Sequence, residues 1–64
     1  MTIESVVLQE IQRRWPGYTL DTILVDRTGL IGVLDIIEQR CGVALYGKFR
    51  TGGDIVRMIE RTKQ

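Results

Sequence analysis

The chain has 64 residues, 44% of them hydrophobic, which allows one core and no second domain, because chains below about 70 residues struggle to bury enough apolar surface. Nine basic and eight acidic side chains leave a net charge of +1, which argues against the strong positive field of a general nucleic-acid binder. One cysteine, Cys41, and no histidine leave neither a disulfide framework nor a metal site, and with no leader-like start and no apolar run near the ~20 residues that span a bilayer, a cytoplasmic protein is expected.

Thr2 is placed to cap a first helix over residues 3–14. There Ile3, Val6, Val7, Ile11 and the aliphatic stem of Arg14 recur at the i, i+3, i+4 spacing of one buried stripe. Glu4 at the start and Arg13 and Arg14 at the end complement the helix dipole. Trp15-Pro16-Gly17 stops the helix, since proline lacks an amide donor and glycine allows a reversal. From Tyr18 to Asp26 the apolar residues follow neither a helical nor a strand period. A short edge strand from Thr22 to Val25 is the competing local reading, but no second strand is visible to pair with it.

A second helix is predicted from about Thr28 to Arg40, capped by Asp26 or Thr28 and closed by Cys41-Gly42. Steps of about 100° put Leu30, Val33, Leu34, Ile37 and Cys41 on one core-facing stripe and leave Ile31 and Ile36 outside it. Gly29 and Gly32 each cost about 1 kcal/mol against alanine in a helix interior, so they weaken the first turns or mark close packing. Thr51 starts a last helix with Asp54 as its capping-box partner. Ile55, Val56, Met58 and Ile59 form its apolar face, and Arg61 and Lys63 favour its C-terminal end. The fold expected is all-α, with three main helices around one core.

The run Phe49-Arg50-Thr51-Gly52-Gly53-Asp54-Ile55-Val56-Arg57-Met58-Ile59-Glu60, together with Gly42-Val43, resembles the last third of an acyl carrier protein. The resemblance implies one small acyl-carrier-like helical bundle over residues 1–64. In it Tyr18 to Asp26 is a long loop, and Asp21-Thr22 with Leu24 matches the family's core-plugging stretch. Val43 to Phe49 stands where carriers have a short third helix, but is several residues shorter, so that helix is a single turn or missing.

An ungapped alignment run back from Gly42 puts the family's Asp-Ser attachment dipeptide on Asp26-Arg27. In carriers that serine is esterified with phosphopantetheine, and the free amides and positive dipole of a helix start suit a phosphodiester. Arg27 cannot form the ester. The only serine, Ser5, lies in the first helix outside any attachment motif, so Thr28 is the only nearby hydroxyl, and its ordinary reading is a helix cap. No cofactor is therefore expected, and no nucleophile with an accompanying base is visible, so the chain is not expected to be an enzyme.

Typical carriers are strongly acidic and meet basic patches on their enzymes. A near-neutral chain is steered weakly to such partners, which implies another partner or an apolar contact. Asp26, Arg27, Ile31, Asp35, Ile36 and Glu38 are the candidate partner-binding residues, on the helix that carriers use for recognition. Arg27 is read either as a charged contact for a partner or as a solvated surface residue, and one of the two isoleucines is open to coverage by the first helix or the loop. Cys41 reads as core, Trp15, Tyr18, Tyr46 and Phe49 as core edges, and Gly52-Gly53 as a helix entry with no P-loop lysine.

The leading expectation is a carrier-like domain without a prosthetic group that binds an enzyme of acyl, polyketide or peptide biosynthesis. One alternative is a true carrier, modified at Thr28 or altered from a serine-containing parent at Arg27. The other is a small helical nucleic-acid binder with a basic face of Arg27, Lys48, Arg50 and Arg57. An apolar face also leaves self-association open.

Overall fold

A computed structural model describes residues 2–63, and among them there are three helices and no strand: α1 (Ile3–Arg14), α2 (Arg27–Cys41) and α3 (Gly52–Lys63). The fold is an all-α bundle in which α1 packs against both α2 and α3, while α2 and α3 scarcely touch.

The helix ends follow the capping chemistry of the sequence. The Thr2 hydroxyl accepts from the Ser5 amide at 3.1 Å, and the Trp15 amide closes α1 on the Ile11 carbonyl at 2.8 Å. At α2 the cap is Asp26 and not Thr28: its carboxylate accepts from the Gly29 amide at 2.9 Å, so the helix opens at Arg27, one residue earlier than predicted. Gly42 ends α2 in the left-handed region at φ 69°, where its amide reaches the Glu38 carbonyl at 2.8 Å. Before α3, Thr51 and Asp54 form the predicted capping box, the Thr51 amide donating to Asp54 at 3.2 Å and the Asp54 amide to the Thr51 hydroxyl at 3.4 Å.

The core is Val7 and Ile11 of α1, Leu30, Val33 and Ile37 of α2, Ile55, Val56 and Ile59 of α3, and Leu24 and Phe49 from the connections. Burying one such side chain is worth about 1.5–3 kcal/mol, more than the roughly 1 kcal/mol cost of a helical glycine, so packing carries α2 past Gly29 and Gly32. The buried stripes are narrower than expected, with Ile3, Leu34, Cys41 and Met58 only half-buried at the core margin and Val6 half-buried. Arg14 is exposed. In its stead Glu10, on the same side of α1 as Val7, is buried at 3% exposure and paired with Arg40 of α2.

The connection from α1 to α2 is a loop, with Leu24 plugging the core at 1% exposure. The strand reading reduces to one isolated antiparallel bridge between Ile23 and Thr51, supported by a 2.7 Å bond from the Leu24 amide to the Arg50 carbonyl. No helix forms between α2 and α3. There Val43, Leu45 and Phe49 face the core, and Gly47, at φ 104°, makes the left-handed turn that lets the chain come back to Phe49. Trp15 and Tyr18 stack at 5.2 Å on the core edge, whereas Tyr46, expected there too, is 74% exposed.

Candidate functional site

The position aligned with the carrier serine begins α2, and its side chain is engaged within the domain. Arg27 donates from Nη1 to the Phe49 carbonyl at 3.0 Å, tying the first turn of α2 to the segment that precedes α3. The residue is exposed all the same, as a surface arginine, and the bond to Phe49 is a role within the domain that the sequence did not reveal. The carbonyl it satisfies lies in irregular chain, where no helix or sheet ladder is on hand to supply a donor. Thr28 beside it is exposed.

Arg27 also borders an open groove of about 380 Å³, with Leu30, Ile31 and Leu34 of α2 on one side and Gly47, Lys48 and Phe49 on the other. Ile31 is 70% exposed there, and the charges around the groove, Arg27 and Lys48, are both positive.

The six candidate residues do not converge on this groove. Asp26 is half-buried as the cap of α2. Asp35 is exposed and accepts from Gln39 at 3.3 Å, and Ile36, 43% exposed, lies five positions from Ile31 and so about 140° around the helix. Glu38 is half-buried, and its carboxylate accepts from the Leu45 amide at 2.7 Å, using its charge to hold the connection between α2 and α3. Arg27 and Ile31 alone of the six line the groove; Leu30, Leu34, Gly47, Lys48 and Phe49, which complete it, were not singled out for it. Leu34 had a signal in its place at the edge of the α2 stripe. Lys48 had one in its grouping with Arg27 among the basic residues, and Phe49 had none for this place, because its segment has no period.

The proposed basic face spans two adjoining grooves. Arg27 borders the first only, Lys48 lines both, and Arg50 and Arg57 line the second, of about 450 Å³, with Tyr46, Met58 and Arg61. Asp54 lies among them. Its pKa is lowered, chiefly because the Arg50 amide donates to the carboxylate, with burial opposing and the Thr51 amide and Arg57 adding to the effect.

Among the described residues no three His, Cys, Asp or Glu side chains gather as a metal site, and no helix is long and apolar enough to cross a membrane. Comparison of the chain with protein-family models, with curated proteins and with solved structures finds no match.

Proposed function

We propose that the chain is an acyl-carrier-like domain that carries no prosthetic group and acts by protein contact, serving an enzyme of acyl, polyketide or peptide biosynthesis. The observation that carries this reading is the Arg27 to Phe49 bond: the residue at the attachment position braces the fold. Around that brace, the exposed Ile31 and the groove between α2 and residues 47–49 offer an apolar surface rimmed by positive charge. Such a surface suits a partner that brings apolar and acidic side chains, the reverse of the basic partner met by an acidic carrier.

The test is the intact mass of the wild type and of Arg27→Ser after incubation with coenzyme A and a broad-specificity phosphopantetheinyl transferase. The expected result is that only the variant gains phosphopantetheine, which would mean that the scaffold presents a readable helix start and that the natural chain has no carrier chemistry. A gain by the wild type overturns the reading and makes Thr28 the first residue to map. If neither protein gains the group, the carrier-like part of the reading fails.

A further inference from the structure

The α3 side of the domain has a charge unlike that of the chain as a whole. Asp54, Arg57, Met58 and Arg61 recur at i, i+3, i+4 and i+7 and so share one side of α3, and Lys48 and Arg50 reach the same groove from the preceding segment. Four cations thus meet one carboxylate, and that carboxylate already accepts from the amides of Arg50 and Thr51 and from the Arg57 guanidinium. The net charge of +1 hides this concentration, because acidic residues such as Glu10 and Glu38 act on other sides of the domain. Three of the four cations are arginines, whose planar fork suits carboxylates, and they lie beside the exposed Tyr46 and the half-buried Met58. Arginine, tyrosine and methionine are the residue types that the cores of protein interfaces concentrate.

We propose that this groove binds an acidic segment of a partner protein, its carboxylates meeting Lys48, Arg50, Arg57 and Arg61 and an apolar side chain resting on Tyr46 and Met58. The proposal rests on the reading that the domain works by protein contact, and its groove adjoins the one at Ile31, sharing Gly47, Lys48 and Phe49 with it but bounded by α3 in place of α2. The surface favours a protein segment over a nucleic-acid strand for two reasons. A near-neutral chain projects little long-range field, and the groove presents one exposed aromatic ring where strand-binding grooves stack successive bases.

The test measures fluorescence anisotropy of the full chain with three labelled probes: a Glu/Leu repeat peptide, its Gln/Leu counterpart and oligo-dT. The proteins are the wild type, Arg50→Glu/Arg61→Glu, Arg61→Glu alone and Ile31→Ser. The acidic peptide should bind the wild type about tenfold more tightly than the Gln/Leu peptide, weaken as salt is added, and lose about tenfold in affinity for the double variant. Arg61→Glu alone should lose about threefold, and it decides the matter if the double variant no longer shows helical circular dichroism.

The proposal is overturned if the acidic peptide fails to bind, if it binds the charge-reversed chain as well as the wild type, or if oligo-dT binds more tightly. Ile31→Ser, which removes apolar surface and adds no charge, should weaken acidic-peptide binding less than Arg61→Glu does. If Ile31→Ser abolishes it and charge reversal does not, the α2 groove is the docking surface; this proposal then fails and the proposed function stands. Gain of phosphopantetheine by the wild type would strike the proposed function and leave the peptide result to be judged alone.

Discussion

The Arg27 guanidinium and the Phe49 carbonyl oxygen lie 3.0 Å apart, a hydrogen bond that joins residues 22 positions apart in the chain. It fixes the start of α2 against a residue whose side chain is buried in the core, so the polar contact and the apolar one hold the same stretch of chain.

Replacing Arg27 with methionine keeps an apolar stem and removes the donor. A net loss of about 1 kcal/mol is expected, because the bond is partly exposed and water can take over some of its role. Urea denaturation measures the loss, and an unchanged midpoint would show that solvent serves the Phe49 carbonyl as well as Arg27 does.

Glu10 of α1 is buried against Arg40 of α2, and Arg13 adds only a 3.9 Å contact from an exposed position. Arg40→Met should therefore cost about 2 kcal/mol, below the usual range for a fully buried pair because the Arg40 side chain is 30% exposed. The double variant Glu10→Leu/Arg40→Met should recover most of that loss, since it leaves no stranded carboxylate. A double-mutant cycle in denaturant checks both, and additive losses would mean that the two residues do not act as a pair.

The glycines of α2 should answer differently to alanine. At Gly29 a methyl group would come within 2.8 Å of the Asp26 carboxylate and 3.0 Å of the Trp15 ring, whereas at Gly32 it would meet nothing within 4 Å. Gly32→Ala should raise stability by about 0.5–1 kcal/mol, and Gly29→Ala should lose that helix benefit and more to the crowding at the cap. Thermal unfolding of the two variants should show midpoints moving in opposite directions.

Asp54 links stability to pH. Its folded pKa lies below its unfolded one, so the stabilisation is present above the unfolded value and is lost as pH falls through the folded value, in the acid range below ordinary aspartate titration. Asp54→Asn should be less stable than wild type at neutral pH, by less than about 1 kcal/mol because the amide keeps an acceptor and loses only the charge, and that difference should shrink as the pH is lowered. Unfolding midpoints over an acid series decide it, and a gap that stays constant down the series would show that the charge of Asp54 is not what stabilises the start of α3.

The helices were legible because local chemistry decides them. Thr2, the Trp15-Pro16-Gly17 stop, Gly42 and the Thr51 and Asp54 box all act within a few residues of where they stand. Gly29 and Gly32 looked alike because what separates them is the neighbourhood of Arg14, Trp15 and Asp26, two of which come from another part of the chain. Glu10 did leave a signal, three residues from Val7 on the buried side of α1, but its acidic type masked it until Arg40 was seen beside it. Arg27 and Glu38 could be placed on α2 but not given their roles, because their acceptor and donor lie in the aperiodic residues 43–49.

Because α1 alone packs firmly on both other helices, α2 and α3 form two jaws seated on a shared keystone. The seam that residues 43–50 form beside them is held partly by single polar clasps: Arg27 of α2 to Phe49, Glu38 of α2 to Leu45, and Leu24 of the first connection to Arg50. A body fastened in this way yields first along the seam, so the Leu24 and Leu45 amides should take up deuterium before those of Ile11 and Ile37. Both grooves lie beside that seam, and an occupant in either would change how readily the jaws part, making mechanical stiffness a second readout of binding.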